Sequence, residues 1–304
     1  MSVDAVVVNY NSGRFVFDCL ASLKAQTRPL HRIWVVDNAS RDGSLERLRT
    51  IDGIELIENP SNAGFAVANN QAIREAVGHH ILCCNPDVVV ARDFLERCLP
   101  VFDCDPLVGM VTGKILRFDH RTIDSTGQFL SSSRWPCERG YGKCDEGQYD
   151  RDEYVFSACG ACVLYRREMV QRVRDKGDFF DPEFFTFYED LDVGWRAHRA
   201  GWRAYYVHDA RAYHYRGGSS GSGRFAFTRK SPIVRFHILK NRYLTIMKND
   251  RPAAFVQHLP AILARDVALL GYTTLTSPSV LWRLARFLLE KGVEAVSRRP
   301  PRVR

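Results

Sequence analysis

FFTFYEDLDVGW, residues 184–195, sets three carboxylates, Glu189, Asp190 and Asp192, among phenylalanines, a tyrosine and a tryptophan. A helix starting near Glu189 and stopping by Gly201, a good residue to follow a helix end, puts Leu191, Trp195 and His198 on one core-facing side. At about 100° per residue, Glu189 and Asp192 then share one flank and Asp190 lies on the other. Asp192 has Arg196 at i+4, so that flank is expected to be a solvated, paired surface favoured by the helix dipole. The i+4 neighbour of Asp190 is Gly194. A carboxylate above a glycine at a helix start suits a general base over which a substrate hydroxyl slides.

Other residues offer metal and phosphate chemistry. Asp87, in NPDVVV after a very apolar run, can hold a hard divalent cation that shares its shell with substrate phosphates, or can simply begin a helix. His214 in YHYRGG can complete such a site or sit half-buried, and Arg216 beside it can meet a diphosphate or solvent. Cys159 and Cys162 form a C-x-x-C, but Cys137 and Cys144 are spaced too widely to complete a usual structural zinc site. Asn62, Asn69 and Asn70 in NPSNAGFAVANNQ, like Asp37, can surround a nucleoside, or can serve as turn and cap residues.

These groups need a scaffold. Over the first 115 residues, apolar runs (VDAVVVN, RIWVVDN, GIELIEN, HHILCCN, LVGMVT) alternate with helical patterns, the first helix capped near Asn11 or Ser12. That alternation predicts an α/β fold with a mostly parallel sheet flanked by helices, whose ligands gather at the carboxyl ends of the strands. The polar clusters fall there: Asn9, Tyr10 and Asn11; Asp37 and Asn38; Asn85 and Asp87. The first strand is followed by NYNSGR, with one glycine, so the dinucleotide fingerprint and the P-loop are absent. Residues 116–155 read as an irregular excursion or a pair of exposed strands, and GGSSGSG, residues 217–223, as a flexible breaker.

The 304-residue chain, 45% hydrophobic and 26% charged, carries a net charge of +8. Residues 224–304 hold 16 Lys and Arg against 4 Asp and Glu. A basic, helical extension of this kind fits an anionic membrane surface better than nucleic acid. From Leu281 to Val296, Arg283, Arg286, Glu290 and Glu294 oppose Leu281, Leu284, Ala285, Leu288 and Gly292, so that this amphipathic helix either packs its apolar face on the protein or lays it on a membrane. Arg265 and Asp266 interrupt the most apolar stretch, Ala253–Tyr272, and no run reaches the ~18 residues needed to span a bilayer. Nine cysteines, an odd number, and a start that reads as a strand fit reduced thiols in a cytoplasmic protein.

In this order and spacing, VVVNYNSG, VVDNASRDGS, NPSNAGFAVANN, CCNPDVVV, SACGACVLYRRE, FFTFYEDLDVGWRAHRAGW and YHYRGGS resemble family-2 nucleotide-sugar glycosyltransferases of the GT-A fold, in particular their rhamnosyltransferase-like branch. The match covers roughly residues 3–250. It implies a catalytic domain over 1–223, with a nucleotide-sugar half to about 115 and an acceptor half beyond it, followed by the extension 224–304. It implies that Asn9, Tyr10, Asn11, Asp37 and Asn38 lie at the nucleoside, with Asn62, Gly64, Phe65 and Asn69 near the donor and Arg216 at its diphosphate. Asp87 corresponds to the surviving acid of the D-x-D metal motif, with Asn85 in place of the first, and His214 to a contact of the Mg²⁺ or Mn²⁺ ion or of the diphosphate. Asp190 corresponds to the base, and Gly160, Ala161, Tyr188 and Glu189 border the acceptor. The expected activity is inverting transfer of a sugar, L-rhamnose from its thymidine diphosphate donor first among candidates, to a saccharide or lipid-linked saccharide. Sugar-nucleotide nucleotidyltransferases and a non-catalytic binding protein at a membrane are the competing classes.

Overall fold

The computed structural model describes residues 1–216 and 227–297, with side chains to 291, so the expected breaker at 217–223 lies outside the described residues. The chain runs through β1 (Val3–Asn9), α1 (Phe15–Lys24), β2 (Arg32–Asp37), α2 (Ser44–Leu48), β3 (Glu55–Glu58), α3 (Phe65–Glu75) and β4 (His80–Cys84). It continues through β5 (Val88–Val90), α4 (Phe94–Cys104), β6 (Val108–Arg117), β7 (Ile123–Ser125), β8 (Gln128–Leu130), β9 (Pro136–Glu138) and β10 (Glu153–Val155). Then follow β11 (Cys162–Arg166), α5 (Arg167–Arg172), α6 (Glu189–Arg199) and β12 (Arg203–His214), and finally α7 (Pro232–Asn249), α8 (Pro252–Thr276) and α9 (Pro278–Ser297).

The main sheet has the order β10-β12-β6-β11-β4-β1-β2-β3, with only β10 and β11 reversed along that path. Its strands read as unbroken apolar runs because both faces are covered. Val3, Ala5 and Val7 of β1 pack with α1 and α4, while Val6 and Val8 pack with α3, α5 and α6. Each such valine contributes about 1.5–3 kcal/mol by leaving water. The chain builds outward from β1 to β2 and β3, then crosses back to β4 on the other side of β1. That reversal opens a crevice at the carboxyl ends of β1 and β4, between Asn9 and Asn85.

The expected cap at Asn11 or Ser12 is not used. The Asn11 Oδ1 accepts from Arg41 N at 2.7 Å and the Gly13 N donates to Asp42 at 2.7 Å, so this turn is committed to the loop after β2 and α1 starts only at Phe15. Residues 116–155 hold the end of β6, the strand β7, the β8·β9 pair and β10.

The chain divides into two compact units, one of residues 1–130 and 136–216, the other of 131–135 and 227–297 within the described residues. In the second, the basic residues are less exposed than the charge count implies. Arg235, Lys240 and Arg242 are all buried. Arg242 reaches Asp266 and the Ser133 carbonyl, and Arg134 pairs with Asp250 through two bonds of 2.6 and 3.0 Å. Because Asp266 is paired and Arg265 lies 5.2 Å from the Trp135 ring, the charges that interrupt the apolar stretch do not break its helix. Contrary to the sequence reading, α8, 25 residues long with a mean hydropathy of 1.3 in its most apolar window, is therefore long and apolar enough to cross a membrane. On α9, Leu284 is buried and Leu281 and Leu288 half-buried, whereas Ala285 is exposed; Gly292 lies among the side chains that are not described.

Candidate active site

Strand register assembles one cluster. His214 pairs with Val88 of β5 and with Arg117 of β6, while Ser125 of β7 pairs with Ile115 of β6. Asp87 and Asp124, next to the paired residues, thereby reach the histidine from two sides. His214 Nδ1 lies 2.8 Å from Asp124 Oδ2 and Nε2 3.1 Å from Asp87 Oδ1. Burial pulls the imidazole toward neutrality, but the two carboxylates outweigh it and hold its pKa at about 9. Arg216 grips Asp124 at 2.6 and 2.9 Å. Asp124 is absent from the residues the sequence singles out; only its place in an irregular stretch hides it.

This donor set fits a divalent cation. With Asp124 accepting from Nδ1, the Nε2 lone pair and the Asp87 carboxylate converge on a position where either a proton or a cation must sit. Asn85, two residues before Asp87 in the chain, has a buried side-chain oxygen without a partner among the described residues. Carboxylate, amide oxygen and imidazole suit Mg²⁺ or Mn²⁺.

The residues at the ends of β1 and β2 are locked into the fold. Asn9 and Asp37 are register partners, both 0% exposed, and Asn9 Nδ2 donates to Asp37 Oδ1 at 2.7 Å and to Ser44 Oγ at 2.8 Å. Asp37 Oδ2 accepts from Ser40 N at 3.0 Å, so the pair shapes the loop ahead of α2. Tyr10, 49% exposed, presents its ring to solvent beside them. Asn38 bonds Asn62 Oδ1 at 3.0 Å and accepts from Ala63 N at 3.0 Å, fixing the turn into α3. There Gly64 has φ of +88°, and a Cβ would stand 2.5 Å from the Phe185 ring. Phe65 N donates to the Phe185 carbonyl at 2.7 Å, and Asn69 bonds the Phe65 carbonyl at 2.9 Å. Asn70 is held in a reciprocal clamp on the Phe180 backbone at 2.6 and 2.9 Å.

The aromatic loop before α6 is strained: Phe185, Phe187 and Tyr188 all have φ between 63° and 71°. Such backbone costs on the order of 1–3 kcal/mol per residue and concentrates at functional sites. It delivers Asp190, half-buried, to the start of α6. Asp190 Oδ2 accepts from Gly160 N at 2.8 Å and Gln128 Nε2 at 2.7 Å; among the described residues, Oδ1 accepts only from Leu191 N, at 2.8 Å. Burial raises its pKa, against the pull of those three donors.

Three expectations for this helix are corrected. Glu189 and Asp192 are not a solvated flank: they are 7% and 0% exposed. Asp192 does pair with Arg196, at 2.8 Å, but the guanidinium also takes the Val173 and Phe179 carbonyls, which makes the pair internal. Among the described residues Glu189 has no ion pair with a cation, and burial together with the charge of Asp190 pushes its pKa to about 8. The space over Gly194 belongs to Ser157, whose Oγ would lie 2.1 Å from an added Cβ, and not to a substrate. His198 is exposed and not in the core, with Nε2 2.7 Å from the Phe156 carbonyl.

Gly160 touches Asp190 instead: a Cβ added to this glycine would stand 2.9 Å from the Asp190 Cβ. Ala161, the next residue, accepts from Asn85 N at 2.9 Å. Two adjacent residues thus connect the carboxylate of α6 to the segment that carries Asp87. Near Asp190 the sequence reading missed Glu138, which with Cys159 and Asp190 places ligand atoms within 4.8 Å of one another. Both carboxylates there accept from the Gln128 amide, and the Cys159 thiol is pushed up by burial, so this trio is poorly matched to a hard cation. Cys159 and Cys162 are buried while Cys137 and Cys144 are exposed, so the four do not form one zinc site.

The sequence profile "Glycosyl transferase family 2" matches residues 4–174. An N-acetylglucosaminyl-diphospho-decaprenol L-rhamnosyltransferase of Mycobacterium tuberculosis is 26% identical over 239 residues, which is 71% of this chain and 76% of the relative. An N-acetylglucosaminyltransferase of Mesorhizobium japonicum is 28% identical over 69% of this chain and 50% of its own. Among solved structures, the mannosyltransferase PcManGT of Pyrobaculum calidifontis, in complex with GDP-Man and Mn²⁺, superposes with a TM-score of 0.56 at 21% identity, covering 96% of this chain and 75% of that one. S. aureus TarS 1-349 in complex with UDP-GlcNAc gives a TM-score of 0.60 at 17% identity over 91% and 76%. The fold is of the GT-A type, with C-terminal helices. The chain belongs to glycosyl transferase family 2 and is a glycosyltransferase that uses a nucleotide sugar.

Proposed function

We propose that the protein is an inverting transferase, with L-rhamnose from a thymidine diphosphate donor as the first sugar to test and a saccharide or lipid-linked saccharide as acceptor. The observation that carries this reading is the state of Asp190. Its Oδ2 is saturated by two N–H donors, while Oδ1 keeps a lone pair for an acceptor hydroxyl. Desolvation makes it a stronger base than an exposed aspartate. The acceptor O–H bond breaks toward Oδ1 as the acceptor oxygen bonds the anomeric carbon and the diphosphate leaves from the opposite face.

Donor-side roles follow from position. Tyr10 offers a ring to the base, with Asn11, Asn38 and Asn62 fixing the loops around it, and Asn9 and Asp37 hold those loops from inside. Asp87, His214 and the Asn85 oxygen would hold Mg²⁺ or Mn²⁺, and the bound ion supplies Lewis-acid stabilisation of the departing diphosphate. Asp124 keeps the His214 tautomer and orientation. Gly160 and Ala161 border the sugar, with Tyr188 and Glu189 toward the acceptor. The exposed apolar residues of α8 and α9 suit a peripheral position on a membrane bearing a lipid-linked acceptor.

The test is Asp190→Asn. It should leave donor-induced thermal stabilisation intact and abolish release of nucleoside diphosphate in the presence of acceptor; retained turnover removes the assignment. A panel of nucleotide sugars, scored by the same stabilisation, identifies the donor.

A further inference from the structure

The β8·β9 pair puts Gln128 opposite Glu138 in register. Gln128 is 4% exposed, and its backbone is held to Ser157 by bonds of 2.8 and 3.2 Å, so its side chain has one direction to take. Nε2 has two hydrogens and uses them on two carboxylates: Glu138 Oε1 at 2.8 Å and Asp190 Oδ2 at 2.7 Å. A single amide group thereby sets the spacing of two acids from elements far apart in the chain, with Gln128 and Asp190 separated by 62 positions. The other Glu138 oxygen accepts from Ser125 Oγ. With both oxygens already accepting hydrogen bonds, Glu138 is a poor nucleophile, and it does not point at solvent as a surface charge would.

The electrostatic setting is one-sided. Facing the two carboxylates are Asp124 from β7, the Cys159 thiol, Glu189 on α6 and Tyr165 on β11. Asp124 is occupied by His214 and Arg216. Arg139, next to Glu138, turns to Thr126 and Glu153. Among the described residues, neither Glu138 nor Asp190 has an ion pair with a cation. Burial and the charge of Asp190 raise the Glu138 pKa to about 7. Asp190 ionises first, raised by burial alone, and its charge holds the proton on Glu138; once Glu138 is ionised as well, its charge in turn raises the affinity of Asp190 for a proton.

We propose that Glu138 is a positioning residue for the base: through the bridging amide of Gln128 its carboxylate fixes Asp190, and its charge strengthens Asp190 as the acceptor of the hydroxyl proton. This rests on Asp190 being the base. Glu138 exchanges no atoms in the step; the proton released by the acceptor hydroxyl ends on Asp190 Oδ1.

The experiment is the pH profile of kcat/KM for full-length Glu138→Gln, with Glu138→Asp and Asp190→Asn alongside and donor affinity read by thermal stabilisation. Glu138→Gln keeps the shape and removes the charge. The acid limb should lose its upper step near pH 7, where ionisation of Glu138 strengthens the base, and so finish at lower pH. The plateau should fall about three- to tenfold for a weaker base. Donor affinity should stay within about twofold, since the donor interactions are elsewhere. Glu138→Asp should restore part of the limb, and a comparable melting temperature in both variants separates the effect from misfolding. An unchanged limb and plateau in Glu138→Gln, with Asp190→Asn inactive, overturns the inference and leaves the base in place. Turnover by Asp190→Asn removes both.

Discussion

His214 Nε2 lies 3.1 Å from Asp87 Oδ1, although 127 positions separate the two in the chain. The histidine's other nitrogen is held by Asp124, so the contact is a fixed one. Asp87→Asn and His214→Ala should each lower Mn²⁺ affinity by calorimetry and reduce transfer, and the double variant should lose little more than either alone because the residues act as a unit. Asp124→Asn, which only loosens the ring, should cost about 10–100-fold in metal affinity or activity. Unchanged Mn²⁺ affinity in Asp87→Asn would remove the site.

Two glycines near the base should respond differently to alanine. At Gly194 the new methyl meets Ser157 Oγ at 2.1 Å, so the molecule must shift. Alanine's helix preference offers about 1 kcal/mol, and overpacking at such a contact costs about 1–3 kcal/mol, so the melting temperature should fall. At Gly160 the neighbour is Asp190 itself, and the alanine should cut kcat more than stability. If Gly160→Ala keeps full kcat, the glycine is not needed for the base geometry.

What the sequence reveals is unequal along the chain. The covered sheet leaves unbroken apolar runs, so the parallel strands and the polar residues at their ends, Asp87 and His214 among them, were legible, while Asp190 stood out at the start of a helix. Helical phase put Glu189 and Asp192 on one flank, but phase does not say what packs there. The carbonyls of Val173 and Phe179, brought by a loop before α6, turned a paired surface into an internal one. Gln128, Glu138 and Asp124 were missed because they lie on three-residue strands, too short for periodicity to register.

The buried Glu189 makes stability fall with rising pH. Its folded pKa, about 8, exceeds the ordinary carboxylate value, so the folded chain holds a proton that the unfolded chain gives up. That stabilisation is fully present below about pH 4.3 and is lost as pH rises through the folded value. Glu189 Oε2 has no partner among the described residues to offset the charge. Glu189→Gln should therefore be more stable than the parent at pH 9, by on the order of a few kcal/mol in denaturant unfolding, with the gap closing toward pH 5. A gap independent of pH would show that Glu189 is ionised at little cost.

The last prediction concerns the helical unit. Trp282 and Leu289, seven residues apart and so on one face of α9, are 69% and 71% exposed. On α8, Val256, Leu263 and Val267 are 66%, 52% and 74% exposed. Three of the basic residues that gave the extension its charge are instead buried in it. Membrane association should then depend more on apolar insertion than on charge, with tryptophan at the interface. Replacing Trp282 and Leu289 by glutamate should abolish co-sedimentation with vesicles of mixed anionic and zwitterionic phospholipid. Arg283→Gln with Arg286→Gln should weaken it by less, and raised salt should leave much of the wild-type binding. If the glutamate variant binds vesicles as the parent does, these faces do not meet a bilayer.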